Sequence, residues 1–334
     1  MKKILILGGT GFVGRILTEK LIKDGFSPVL FNRGLRNPDL FPELQKITGD
    51  RLIENDISQI SKFDWDVVVD FSCMYPLNLE LILKLLKNKT QKYIFISTCS
   101  VYPMNDPDLW SQPVSETAPT LNCTIEEKLS TDINSTYGNK KAECERILLR
   151  NDWLNPVIFR PGLIYGRYDP TDRFYYWLYR AKKADAFLIP DGGIEEFTAT
   201  YCEDFAELIK LAVYFEPNSK IYNAVTHPPV KLIDFINYSC SIVNTKPEFI
   251  FIDKDFIDRN NLSPWIDFPL WVRDFNLRID NSLALKDFPI NFFGFYNTVK
   301  KCIEYYDELN WQIPKTNFTP EREDELIKKI KMQN

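Results

Sequence analysis

The sequence has one histidine in 334 residues, His227. It stands in a THPP turn, which excludes a histidine-rich metal site and deprives a serine–histidine hydrolase of its usual base. A structural or surface role is expected for it. The seven cysteines are widely separated and contain no CxxC pair, so neither a zinc ribbon nor a disulfide framework is indicated, and they read as small buried hydrophobes. Excess positive charge is missing too. Lys and Arg number 41 against 46 Asp and Glu, a formal charge of −5, which supplies no general attraction for nucleic acid or anionic membrane. No apolar run reaches spanning length, and the run after the first lysines turns to glycine too soon for a signal peptide. A soluble, cytoplasmic chain without internal repeats is the expectation.

What is present is apolar mass in a regular rhythm. Hydrophobic residues make up 45% and aromatics 14%, enough for a substantial core. KKILIL reads as a buried strand, GGTGFVG as a tight turn and RILTEKLIKDG as a helix; SPVLFNR, WDVVVDFS and KYIFIST read as further strands, the last two separated by the helical stretch LNLELILKLLKN. That alternation predicts an α/β fold with a doubly wound parallel sheet and crossover helices. Residues 1–165 are expected to form mainly the sheet domain, with later segments returning to it, and 166–315 mainly a smaller interwoven C-terminal lobe. KIYNAV reads as a strand between the two. Residues 316–334 read as a peripheral helix with Thr319 at its N-cap and Pro320 in its first turn. The turn-rich stretch 103–132 is longer than an ordinary loop and reads as a flap or a substrate-facing insertion.

The most specific motif is the first turn. Gly8, Gly9, Gly11 and Gly14 satisfy both GxxGxxG and GxGxxG, and with Thr10, Phe12 and Val13 they sit between a strand and a helix. There, backbone N–H groups and a helix start can receive the pyrophosphate of a dinucleotide, as in a Rossmann-type fold. The second strand ends at Asn32 and Arg33 rather than at an acid. Arg33 suits a 2′-phosphate, which favours NADP over NAD. Asp50, after KIT, is placed to meet the adenine edge.

A second constellation carries the chemistry. Tyr137 and Lys141 are four apart in STYGNKK, so on a helix they share one face. Lys141 would favour the phenolate and hold the nicotinamide ribose, and Tyr137 would pass a proton to or from a substrate oxygen. Thr98, in the STCSVYP that follows YIFI, would anchor that oxygen, with Ser100 as a substitute if the turn runs differently. Arg160, Arg167 and Arg173 are candidates for a phosphorylated or carboxylated substrate, each weighed against a structural ion pair. Asp169 and Asp172 would orient them or cap a helix. Tyr175, Tyr176, Trp177 and Tyr179 read as a packing stripe.

With these motifs placed, the sequence resembles the extended short-chain dehydrogenase/reductase superfamily, and in particular its NAD-dependent epimerase/dehydratase family. The glycine motif at 8–14, Thr98 and the YxxxK of Tyr137 and Lys141 carry the resemblance, supported by FRPGLIYG at 159–166 and CEDFAEL at 202–208. NRG at 32–34, GDR at 49–51, YDPTDRFYYW at 168–177 and PWIDFPLWV at 264–272 are similar to a bacterial subgroup related to isoflavone-reductase-like and chloroplast stem-loop-binding proteins. The resemblance implies a Rossmann-type domain with an interwoven substrate lobe, a bound NAD(P) and a homodimer; with a single histidine in the sequence, no metal is expected. Where sugar-nucleotide 4,6-dehydratases carry an acidic pair after the threonine, this chain has Cys99 and Ser100, which argues against that dehydration. The expected activity is NAD(P)-dependent hydride exchange with a secondary alcohol or ketone, on a sugar or nucleotide sugar. The alternatives are an epimerase working through a transient ketone and a non-catalytic dinucleotide-sensing or RNA-interacting protein.

Overall fold

Short β-branched and aromatic runs form the spine, because each can be covered on both faces. In the computed structural model, which describes residues 2–315 and 318–333, β1 (Ile4–Leu7) leads through the glycine turn to α1 (Phe12–Lys23). β2 (Val29–Asn32), β3 (Lys46–Thr48), α2 (Glu54–Ile57), β4 (Val67–Asp70), α3 (Pro76–Leu86) and β5 (Lys92–Ile96) follow. After the long connection come α4 (Ile125–Leu129), α5 (Tyr137–Arg150) and β6 (Asn155–Arg160). The strands pair in parallel in the order β3-β2-β1-β4-β5-β6, and a seventh strand, Ile221–Asn223, closes the sheet beside β6.

Alternation along the strands divides the core in two. Ile4, Ile6, Val67, Val69, Ile94 and Ile96 face α1, while Leu5, Leu7, Val68, Tyr93 and Phe95 face α3 and α5. Every strand of this sheet points its C-terminal end to the same edge, where the glycine turn, the β4 loop and the turn after β5 meet. Ligands of doubly wound sheets bind at such an edge.

The second lobe is built from β7 (Leu163–Tyr165), α6 (Arg173–Lys183), β8 (Ala186–Pro190), β9 (Glu196–Phe197), β10 (Ala199–Tyr201) and α7 (Cys202–Tyr214), before the chain returns to the sheet as β11 (Ile221–Asn223). It continues through β12 (Val230–Lys231), α8 (Leu232–Val243), β13 (Glu248–Ile252), α9 (Lys254–Arg259), α10 (Ser282–Asp287), α11 (Phe295–Glu308) and α12 (Pro320–Gln333). KIYNAV is therefore an edge strand of the main sheet rather than a link between lobes, and α7 covers the same sheet face as α1. The aromatic stripe of α6 is core, with Tyr175, Tyr176 and Trp177 buried and Tyr175 stacked on Tyr306. The last helix is docked more firmly than a peripheral one. Its Glu323 is fully buried, pairs with Arg180 at 2.6 Å and accepts the Leu188 N–H at 2.6 Å.

The flap from 103 to 132 is partly structured. A capping box at Thr124 and Glu127 starts α4, and Val114 forms an isolated bridge with Ile279 of the second lobe. Among the described residues no helix is long and apolar enough to cross a membrane.

His227 is structural, and buried rather than at the surface. Its Nε2 accepts the Ala199 N–H at 3.0 Å, its Nδ1 lies 2.6 Å from the Pro228 carbonyl, and burial pushes its pKa down to about 4. Between that value and the unfolded value near 6.5 the unfolded chain holds a proton that the folded chain lacks, so stability falls as pH drops through this window. At pH 5 the residue costs on the order of 2 kcal/mol relative to pH 7.5. We expect His227→Gln to show a smaller loss than the parent between pH 7.5 and pH 5 in urea unfolding. Equal losses would exclude His227 as the source.

Candidate active site

The glycine turn fits a dinucleotide pyrophosphate by three observations. α1 begins at an N-cap glycine, Gly11, with no side-chain cap and no acid in its first turn, so its leading N–H groups are left for an external anion. A Cβ on Gly14 would overlap the Gly8 carbonyl oxygen; only glycine lets the helix start close on the turn. The Thr18 hydroxyl lies 3.1 Å from the Gly9 carbonyl and 2.8 Å from that of Gly14, fixing turn to helix. Beside Gly11 the space is open, with Arg36 Cδ at 4.0 Å from where a Cβ would stand.

At the end of β2, Asn32 accepts the Gly34 N–H at 2.9 Å, and its buried Nδ2 has no hydrogen-bond partner among the described residues. Arg33 has a side chain 63% exposed and lies 4.0 Å from Asp50. The structure thus brings Asn32, Arg33 and Asp50 to one side of the glycine turn, and Arg36, which the sequence reading did not single out, stands by the turn as well. An orphaned donor and two open guanidinium groups suit the adenosine end of a dinucleotide.

Beneath this edge lies a pair that the sequence reading missed. Arg51 donates to Asp70 at 2.7 and 3.0 Å, to Asn78 and Ser72 at 2.6 Å each, while Tyr93 donates to Asp70 at 2.6 Å. Asp70 is wholly buried, and Arg51 beside it holds its carboxyl below the usual range. The network ties the β3 loop to the β4 loop. The available signal was an acid ending the otherwise apolar VVVD strand, since a buried carboxylate requires a cation.

Thr98, Tyr137 and Lys141 stand at the same edge. Thr98 follows β5 and accepts the Ser100 N–H at 3.1 Å, and its hydroxyl is 3.2 Å from that of Ser100. Tyr137 is the first residue of α5, with Thr136 at the N-cap. Gly138 explains how α5 reaches this turn. A Cβ there would overlap the Ser100 carbonyl oxygen, so the helix packs on the 98–100 backbone with no side chain between. The sequence signal was a glycine in the first turn of an otherwise good helix, which costs helix propensity and calls for a packing reason. Lys141, one turn on, is 3% exposed. Its Nζ donates to the carbonyls of Cys73, at 2.9 Å, and Ile96, and lies 3.9 Å from the Phe95 ring centroid. Two of three ammonium protons are used, and among the described residues no carboxylate pairs with it. Cys99 is buried, with burial raising its thiol to about 12, so it is no nucleophile.

The three candidate arginines separate cleanly. Arg160 is 3% exposed, clasps Glu145 at 2.6 Å and donates to the Tyr102 hydroxyl at 2.9 Å. Arg167 pairs with Glu19 at 2.7 Å and with Glu203. Both are structural ion pairs. Arg173, the first residue of α6, has no such ion pair among the described residues and lies within electrostatic reach of Asp169, Cys99 and Tyr137. Asp172 holds the N-cap position without a capping side-chain bond, and instead accepts the Lys315 N–H at 2.9 Å.

Residues 75–224 match the NAD dependent epimerase/dehydratase family. The matched stretch holds Thr98, Tyr137 and Lys141, while the glycine turn lies before it. The chain is 29% identical over 222 residues to the chloroplast stem-loop binding protein of 41 kDa b from Arabidopsis thaliana, covering 61% of this chain and 53% of that protein. It is 27% identical over 199 residues to mouse UDP-glucose 4-epimerase, covering 48% and 53%. The chain thus spans about half the length of these curated relatives. In structure it resembles UDP-glucuronic acid 4-epimerase from Bacillus cereus, solved with NAD, at a TM-score of 0.69 and 19% identity over 92% of this chain and 97% of that one. The fold of that enzyme is thereby shared across most of the chain.

Proposed function

We propose that the protein is an NAD(P)-dependent enzyme acting on a secondary alcohol or ketone of a sugar or nucleotide sugar. The carrying observation is the contact at Gly138, which sets the head of α5, with Tyr137 and Lys141, against the Thr98 turn at the edge that also bears the glycine turn. A dinucleotide bound there supplies the acceptor or donor of hydride. Gly8 to Gly14 would hold its pyrophosphate, and Asn32, Arg33 and Asp50 its adenosine end. Thr98 orients the substrate oxygen by a hydrogen bond, and Tyr137 takes up or returns the proton on that oxygen. Lys141, fixed by two carbonyls, presents its remaining proton to the cofactor ribose and stabilises negative charge on Tyr137.

Epimerisation is the form that the family match and the relatives named as 4-epimerases support. In it the ketone stays in the site, turns over and is reduced from its other face. Net oxidation or reduction is favoured by Arg33, whose exposed guanidinium suits the 2′-phosphate of NADP. Dehydration is disfavoured because Cys99 and Ser100 supply no acid pair. RNA interaction, suggested by the Arabidopsis relative's name, gains no support from a chain of charge −5.

Native mass spectrometry of the purified protein separates the readings. Retained NAD favours epimerisation, dissociable NADP favours net redox, and a protein that binds neither dinucleotide removes the proposal. We expect Arg33→Ser to weaken NADPH binding by about tenfold or more, the loss of a charge-assisted phosphate contact, with NADH binding nearly unchanged in fluorescence titration. Equal changes for both cofactors would exclude a 2′-phosphate contact.

A further inference from the structure

We infer that Arg173 receives an anionic group, a carboxylate or a phosphate, carried on the reacting unit of the substrate itself rather than on a distant nucleotide. This rests on the proposed chemistry at Tyr137 and adds to it the class of substrate.

The contrast among the arginines that are at least half-buried carries the inference. Arg51, Arg160 and Arg167 each meet a carboxylate, and those partners raise their pKa values. Arg173 is half-buried and meets none among the described residues. Its buried Nε has no hydrogen-bond partner among the described residues, and burial pulls its pKa down. Asp169 lies in its surroundings but not in hydrogen-bond contact. One Asp169 oxygen is engaged by the Thr171 N–H and hydroxyl, at 2.9 and 2.8 Å, and the other is itself buried without a partner. A guanidinium whose Nε is shut off from water and left unpaired is costly, so a chain that keeps one has a use for the charge.

Position gives that use. Arg173 opens α6 and lies within electrostatic reach of both Tyr137 and Cys99, as well as of Asp169. Tyr137 handles the proton at the reacting carbon, so an anion that reaches Arg173 belongs to the same small unit as that carbon. The guanidinium's planar fork matches a carboxylate or phosphate edge. A sugar acid, a hydroxy or keto acid, or a sugar phosphate satisfies the site; a neutral hexose leaves Arg173 unpaired.

The test is a titration of NADPH-saturated protein with inorganic phosphate and with malonate, read by bound-NADPH fluorescence and by melting temperature. We expect at least one of these anions to bind the parent. Arg173→Gln should weaken that binding by about tenfold or more and Arg173→Lys by no more than about threefold, consistent with a charge-assisted contact, with NADPH affinity kept in both. The tighter probe tells phosphate from carboxylate. Absence of anion binding in the NADPH-loaded parent, or equal binding by the parent and Arg173→Gln, overturns the inference. If NADPH itself fails to bind, the proposed function falls instead. The malonate- and phosphate-dependent melting shifts of free parent and Arg173→Gln then decide on Arg173 by the same comparison.

Discussion

Tyr137→Phe is expected to lower turnover by about 10²- to 10⁴-fold, the range for removing a positioned general acid–base, while NAD(P)H affinity changes little. The substitution deletes one oxygen from a half-buried ring at the first position of α5. That hydroxyl has no hydrogen-bond partner among the described residues, so its removal orphans no donor or acceptor and should shift stability by less than about 1 kcal/mol. Activity and stability therefore separate, which is the signature of a chemical rather than a structural role. The measurement is steady-state turnover on whichever sugar or keto substrate the parent converts, together with NADPH titration and thermal unfolding of both proteins. A variant that keeps more than about a tenth of parent turnover would remove Tyr137 as the proton carrier. A variant that unfolds early would show that the hydroxyl serves the fold.

Much of the frame was legible because it obeys local rules. Strands of four or five apolar residues separated by amphipathic stretches leave few ways to pack other than a parallel sheet, and β1, β2, β4 and β5 fall where KKILIL, SPVLFNR, WDVVVDFS and KYIFIST stand. The short strand at 221–223 was misplaced because three residues carry no record of their partner. Its neighbour β6 is more than 60 positions away, and only the folded sheet edge reveals it.

The site was legible in its residue types and illegible in its contacts. Glycine spacing and Tyr–Lys spacing are one-dimensional patterns, so candidates could be named from sequence alone. Whether an arginine is paired is a three-dimensional fact. Arg160, Arg167 and Arg173 lie within fourteen positions of one another and look equivalent as text, yet the acids that neutralise the first two come from α5, α1 and α7. The Arg51–Asp70 pair was hidden for the same reason, since β3 and β4 are not even neighbours in the sheet.

Gly138→Ala is expected to damage the candidate site severely. The added Cβ would overlap the Ser100 carbonyl oxygen and press on Leu121 at 2.9 Å. Leu121 is a side chain and can yield, but Ser100 is backbone in the short helical turn that Thr98 caps, and it resists. The helix must then move outward. Overpacking of this kind costs about 1–3 kcal/mol, offset in small part by the better helix propensity of alanine, about 1 kcal/mol. The larger effect is on geometry. Tyr137 precedes the altered residue and Lys141 follows within a turn, so any outward shift of α5 separates both from Thr98 together, and displacement on the order of 1 Å costs about 10²-fold in rate. We therefore expect a lowering of kcat by about two orders of magnitude with a modest fall in melting temperature, and weakened NADPH binding because Lys141 moves with the helix. Parent-like kcat in a folded Gly138→Ala protein would mean that the contact between α5 and the 98–100 turn does not set the distance between the hydroxyl anchor and the phenol, and the carrying observation for the proposed reaction would be lost.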